Sequence, residues 1–499
     1  MKREVIRGGS GVGTRADEAG FTPPSDRPTT GLDPWVPSPG DPWDGTKVRH
    51  LYRRTAFAPT VPEVNAAVAQ SPTDVIDALF MDLPQPTPPL WVTNLPYPSP
   101  LTVQQQTDYN NWIRELREWW IRQMLTRPLT LHEKMVLFWH NHFTSQYSTV
   151  GVPQYMYIQH ATIRRHALGN FRDFAKAITI DPAMLIYLDG RRNIASSPNE
   201  NYARELQELF TIGIGNYTQT DIHEAARALT GWTINGLSPV FVPGRHDAGM
   251  KTFYGQTGNF DADDIIDIIF ERQETATFLC RKLYEFFVYE IPDETIVSQL
   301  AGLLRANDYE VAPVLNVLIK SQHFFDSLTM SAAISSPLEK MVGAIRQLGI
   351  TVSPVSNVVP SYIRSQMDAM GENLLEPPNV AGWPGYHQWI SSTTLLLRNI
   401  FTDAIVQGYD INNTNIGFKA NSLTFARLFP NPNDANGLVS SFAAQLIPMT
   451  ISQRRHDMLL DALLNGIALY DWNIDDPQAP SHLDGLLKVI FRMAEYQLA

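Results

Sequence analysis

Cysteine is all but missing from this chain. Cys280 stands alone among 499 residues, so no disulfide can close within it. A chain this long can bury a core without such staples, and the scarcity therefore leaves the redox compartment open. Long apolar runs are missing too. No stretch of about 18 apolar residues occurs, so no membrane-spanning helix is expected. Positive charge is in deficit, with a net charge of −12 and a pI near 5.5. Nucleic acid and anionic membrane surfaces both need a positive face, so neither is expected as a partner. The common reaction signatures are absent as well. There is no G-x-S-x-G elbow, no Walker loop, no H-E-x-x-H and no cysteine-based metal pattern. "GSGVG" near the start looks like a glycine-rich nucleotide loop, but no buried strand precedes it.

What remains is a globular composition, 44% hydrophobic and only 18% charged, which excludes a disordered chain. Tryptophan (11) and tyrosine (18) are plentiful, and both residue types pack cores and line sugar-binding clefts. Residues 1–45 are rich in Gly, Pro, Asp and Thr and read as a flexible arm. Residues 46–499 read as a helical domain, with a sub-boundary near 258–262. "PQPTPPLWVTNLPYPSP" (85–101) reads as an extended surface loop.

Helical signals dominate the rest. Ser71 and Ser336 are each followed by proline, the pattern of an N-cap with Pro at the first helical position. "TVQQQTDYNNWIRELREWWIRQMLTRP" predicts a long helix stopped near Pro128. Thr130 and Glu133 have capping-box spacing before "LFWHNHF". Other helices are expected near 152–168, 170–178, 198–212, 218–231, 261–270, 273–289, 310–322, 336–348, 391–407, 452–468 and 481–497. "SPVFVPGRHDAGMKTFYG" (238–255) breaks the helical pattern and predicts a small β-hairpin. The fold class is therefore mainly α, with one large multi-helix core and a β excursion near 238–255.

Five stretches could carry chemistry. In "FWHNHF" (138–143), Leu131, Met135, Phe138 and His142 share one stripe at about 100° per residue, so His142 faces the core. His140 lies on another face, and two histidines two apart cannot chelate one ion from a regular helix. In "NENYARELQELFTIGIGNY" (199–217), Glu205 and Glu208 repel unless Arg204, a metal or a shared proton compensates. In "TDIHEAARALTGWT" (220–233), Glu224 and Arg227 can pair, and Trp232 follows a helix-ending glycine. "GRHDAGMKTFYG" (244–255) puts His246, Asp247 and Lys251 on a turn, where a histidine beside an aspartate can move protons and a lysine can hold an anion. "EPPNVAGWPG" (376–385) stiffens a loop with prolines and offers Trp383, with Trp389 just beyond, for stacking.

These stretches, together with "HLYRRTAFAPT" (50–60), "RKLYEFFV" (281–288), "SPLEKMVGAIRQLG" (336–349) and the closing "LLKVIFRMAEYQLA", come in the order of a known bacterial family. The chain resembles the domain of unknown function numbered 1800 from about residue 48 onwards. The resemblance implies an extracytoplasmic protein found beside a sulfatase- and phosphatase-like family, and it brings no agreed activity. The N-terminus lacks the apolar run of a usual secretory leader, which leaves a cytoplasmic location open.

A pocket is expected where helices 131–143, 198–212 and 218–231 meet the 244–251 loop. The leading expectation is a hydrolase of a glycan or similar polymer. Glu205 or Glu208 would be the acid, with the other carboxylate or Asp247 as base or nucleophile. His142 and His246 would tune protonation, Arg204, Lys251 and His140 would hold substrate, and Trp232 and Trp383 would stack on it. Two alternatives are a divalent-metal enzyme using the same residues as ligands, and a non-catalytic protein assembled with a phosphatase-like partner.

Overall fold

A computed structural model describes residue 28 and residues 30–499. Most of the predicted N-terminal arm (1–27 and 29) lies outside the described residues. Residues 30–41 run along the 320–326 segment, joined by Trp35 N–H to Lys320 O at 2.8 Å and Gln322 N–H to Asp33 O at 2.8 Å.

Helix makes up 56% of the structure, in 22 helices among the described residues, which makes the fold mainly α. The strands form two separate antiparallel pairs. Trp232–Asn235 pairs with Ser238–Phe241, and Lys251–Phe253 pairs with Gln256–Gly258. The β excursion thus starts earlier than the sequence indicated and is two hairpins, not one. Gly231 explains the early start. Its φ is +102°, and a Cβ there would stand 2.8 Å from the Phe241 ring, so only glycine lets the chain turn into the strand under that ring.

Local signals set most helix starts. Ser71 caps Pro72–Ala78, and Ser336 and Glu339 form a capping box on Pro337–Gln347. The long helix is Val103–Thr126, ended by Arg127 in an extended conformation just before Pro128. The expected Thr130–Glu133 box does not form. His132–His142 begins after Leu131 with no side-chain cap. Glu133 instead takes a two-pronged ion pair from the buried Arg164, with Arg127 Nε at 3.4 Å. A bidentate charge-assisted pair outweighs a single backbone cap. Glu294–Ala306, Val358–Ala369 and Ala435–Leu446 are helices the sequence reading missed. One contiguous set of buried apolar side chains extends from Val48 to Tyr496. Inside it, "FWHNHF" is buried almost entirely, with Asn141 alone half-buried.

Candidate functional site

The "FWHNHF" helix ends in three polar residues that each hold a different piece of backbone. His140 Nε2 accepts the Leu375 N–H at 3.1 Å. Asn141 clamps Trp383 from both sides, Oδ1 taking its N–H at 2.7 Å and Nδ2 reaching its carbonyl at 3.3 Å. His142 meets Phe210 O through Nε2 at 2.9 Å, and its Nδ1 lies 3.3 Å from the Lys282 ammonium. An ammonium can only donate, so Nδ1 accepts and Nε2 carries the hydrogen that meets the carbonyl. Burial, then the neighbouring Lys282, hold His142 far below the ordinary histidine range. Burial, then Arg117, push His140 down to about 3. Both rings are neutral linkers at pH 7, not proton carriers.

The carbonyls that His142 and Lys282 reach have a local cause. The predicted 198–212 helix is α-helical only over Glu200–Glu205 and continues as a π-helical turn over Leu206–Thr211. A helix end leaves carbonyls without internal partners. Here Leu209 O takes Lys282 at 3.2 Å and Phe210 O takes His142. Such widened turns are frequent at functional sites.

Glu205 and Glu208 sit on this turn, but not as the sequence reading placed them. Arg204 does not pair with Glu208. It turns to Glu200 Oε2 at 3.4 Å and Gln219 Oε1 at 3.0 Å, while the Tyr217 hydroxyl bonds Glu208. Half-burial, then the charge of Glu208, push the Glu205 carboxyl up to about 7. Neither carboxylate lines the large cavity described below.

The 244–255 turn closes upon itself. Asp247 is gripped by Arg227, Nε at 2.7 Å and Nη2 at 3.2 Å, and this hydrogen-bonded pairing holds its carboxyl below the usual range. Lys251, 1% exposed, gives its ammonium to Asp247 O at 2.6 Å and Gly249 O at 3.1 Å. His246 Nδ1 meets Thr230 O at 3.0 Å. Trp232 packs on Phe241 across the first hairpin. Glu208 is tied to Tyr217, Asp247 to Arg227, His246 to Thr230 and Lys251 to carbonyls of its own turn, so these groups are engaged locally, and none of the described cavities gathers them with Glu205 around one hollow. Among the described residues no group of three His, Cys, Asp or Glu is arranged to hold a metal ion.

A cavity of about 290 Å³ lies against the "FWHNHF" helix. His142 and Trp383 line it, as do Lys282, Glu339, Glu372 and Tyr386, to which sequence reasoning gave no role. Glu339 begins the Pro337–Gln347 helix, where Oε2 accepts Ser336 N–H at 2.9 Å and Oε1 meets the buried Lys134 ammonium. Burial alone would raise its carboxyl, yet the Lys134 charge and the hydrogen bonds prevail and the net shift is downward. Glu372, 2% exposed, accepts Leu338 N–H at 2.7 Å. Burial, partly opposed by that bond and reinforced by the charge of Glu339, pushes it up to about 7. Burial brings Lys282 down to about 8 against the pull of Glu285. Trp383 is pinned by Asn141 and by its own Nε1–H to Gly371 O at 3.1 Å.

One sequence signal could have found Glu339. "SPLEK" carries a glutamate at the third helical position, where its carboxyl must fold back to the helix start. Glu372 has no such signal, since "MGENLL" reads as an ordinary turn.

No curated protein and no solved structure matches the chain. The family described as "Protein of unknown function (DUF1800)" matches residues 50–498, nearly the whole chain, and the protein belongs to that family.

Proposed function

We propose that the protein is a hydrolase that cleaves a terminal unit from a glycan in the cavity beside the "FWHNHF" helix. Glu372 is the general acid and Glu339 the base or nucleophile. The observation that supports this reading is the opposite displacement of two carboxyls lining one cavity, Glu339 downward and Glu372 up to about 7. Environments that push two carboxyls apart assign one to give a proton and the other to remain charged. At about 290 Å³ the cavity is near the roughly 300 Å³ at which small-molecule sites begin, so it suits one end of a polymer and not a long stretch. Phe138, Phe286, Trp383 and Trp389 supply faces for a sugar ring. In the reaction Glu372 protonates the leaving oxygen, and Glu339 activates water or attacks the sugar carbon. Lys282 and the neutral His142 fix the polar wall.

A library of aryl glycosides and polysaccharides tests this. Glu372→Gln and Glu339→Gln should each lower kcat by about 10² or more with melting retained. Wild-type kcat should fall as pH rises through about 7, where Glu372 loses its proton. Equal turnover by both variants and the wild type would refute the assignment.

A non-catalytic assembly role is the second reading, and one observation favours it. Glu339 and Glu372 also accept the first N–H groups of the Pro337–Gln347 helix, a purely structural task. In that case both variants lose stability and no substrate is turned over.

A further inference from the structure

A second cleft, away from the carboxylate cavity, has the opposite electrical character. It has a volume of about 260 Å³ and lies between the Gly45–Thr55 helix and the end of the Ala435–Leu446 helix. Arg49, Arg53 and His456 line it, with the hydroxyls of Thr46, Ser440 and Thr450, and no carboxylate lines it among the described residues. In a chain of net charge −12 such a surface is unexpected.

The two arginines lack the partners that buried cations need. Arg53 is 8% exposed, and its one described hydrogen bond is Nη2 to Gln445 O at 2.7 Å. No hydrogen bond or ion pair reaches Arg49 among the described residues, and only the charge of Asp44 favours it from a distance. Its guanidinium rests over Gly45, with Nη1 2.7 Å from where a Cβ would stand. Two acids stand at the margins, Asp44, held by the Thr46 N–H at 2.8 Å, and Asp457, which takes Gln453 Nε2 at 2.8 Å and lies 3.9 Å from His456 Nδ1, while His456 Nε2 meets Ser440 Oγ at 3.1 Å.

Arg53 is also a wall of a smaller cavity of about 30 Å³ behind the cleft. There Lys340, 7% exposed, lies over the Tyr496 ring without a described hydrogen bond or ion pair. Arg53 and Arg398 are the charges that act on it, and both disfavour its ammonium. Glu339 reaches this cavity as well, but Lys134 already neutralises it. Arg49 and Arg53 carry their charge without a carboxylate in ion-pair contact among the described residues, and burial, then Arg398 and Arg53, press Lys340 behind them toward its neutral form. An unpaired buried charge is strongly unfavourable, so such an arrangement persists where a counter-charge arrives from outside. Guanidinium groups with adjacent hydroxyls match the oxygens of phosphate, sulfate and carboxylate groups.

We infer that this cleft binds a small ligand bearing an oxyanion. Arg49 and Arg53 are its charge partners, and Lys340 stands behind them. Ile447, Pro448, Met449 and Ile451 form an apolar margin against which the uncharged body of the ligand rests. The cleft shares no lining residue with the carboxylate cavity, and the inference does not rest on the glycan reading.

Titration of the full chain with inorganic phosphate, sulfate and acetate, against chloride at equal ionic strength, tests the inference by melting and calorimetry. At least one oxyanion should give a saturable, single-site rise in melting temperature, and its identity names the ligand group. Arg53→Gln can disturb the Gln445 contact, so Arg49→Gln is the main variant. It should melt like the wild type without anion and bind about tenfold more weakly, the loss of one charge-assisted pair. Arg281→Gln, which removes an exposed pair with Glu294, should bind like the wild type. Glu372→Gln should also retain binding, which separates failure here from failure of the glycan reading. A non-saturable shift of equal size for all salts, or unchanged affinity in Arg49→Gln, overturns the inference.

Discussion

Replacing Glu372 by Gln should make the protein relatively more stable as pH rises. The carboxyl titrates near 7 in the folded state and near 4.5 in an unfolded chain. Between those values the folded form binds the proton more tightly. The stability contributed by the protonated group is complete below about 4.5 and is lost as pH rises through about 7. A gap of about 2.5 pH units at 1.36 kcal/mol each is about 3 kcal/mol. Glu372 is buried, so solvent screening removes little of this. Gln keeps an oxygen for the Leu338 N–H and cannot ionise. The unfolding entropy of 499 residues, at about 2.1 cal/mol/K each, is about 1 kcal/mol/K, so the effect amounts to about 3 °C. Scanning calorimetry of both proteins at pH 4.5 and pH 8 measures it. The melting temperature of the variant minus that of the wild type should be about 3 °C higher at pH 8. Other groups titrate in the same window, including Glu205 and Asp181, each about 7, but they cancel in this difference. A difference that does not change with pH would show that Glu372 does not hold its proton, and the acid role proposed for it would fall.

Lys134→Met should leave Glu339 buried without its partner and cost about 3–5 kcal/mol, which urea denaturation would register, whereas adding Glu339→Leu should restore most of that loss. Gly382→Ala should be destabilising by more than about 1 kcal/mol, because φ is +82° and the new Cβ would stand 2.5 Å from Asn141 O, and tryptophan fluorescence should report a loosened Trp383. Lys251→Met should open the 244–255 turn, seen as new proteolytic cuts there, with turnover unchanged in any substrate assay that succeeds. Glu205→Gln should likewise leave turnover unchanged and raise the melting temperature slightly at pH 8, since it removes a half-buried charge and, secondarily, its repulsion from Glu208.

The legible part of this molecule is what short-range physics decides. Ser71–Pro72, Ser336–Pro337 and the proline that stops the long helix are statements about neighbouring residues, and the structure keeps them. Val358–Ala369 escaped notice because Pro360 looks like a breaker, yet in a first turn its missing N–H removes no bond. The Thr130 cap failed for the opposite reason, since a partner 31 residues away along the chain, Arg164, offered Glu133 a stronger bond. The π-turn at Leu206–Thr211 has no local signature. Its free carbonyls are met by Lys282 and His142 from other helices, contacts between segments far apart in sequence.

The same distinction explains why the most chemical-looking stretches are not where the cavity lies. Arg227 at the end of Gln219–Ala228 takes both Glu224 and Asp247, and Lys251 gives its ammonium to backbone carbonyls of its own turn, so these groups are engaged within one corner of the fold. A dense charged motif tends to be self-satisfying for that reason, and its pKa values move without leaving any group free to react. Glu339 and Glu372 come from segments 33 residues apart and meet across the start of one helix. There Glu339 has a lysine in direct contact, while Glu372 has the Leu338 N–H, the Ser336 hydroxyl and only the more distant charge of Arg398, which burial outweighs. That inequality of partners drives them apart in acidity, and it arises only in three dimensions. The cleft of Arg49 and Arg53 follows the same logic with the sign reversed. Two arginines one helical turn apart would ordinarily pair with acids, and among the described residues neither has a carboxylate in ion-pair contact, Asp44 acting on Arg49 only through its charge. Reactive or ligand-hungry groups in this protein are therefore those whose partners the fold withholds, and unequal pairing across distant segments marks them better than residue type or spacing.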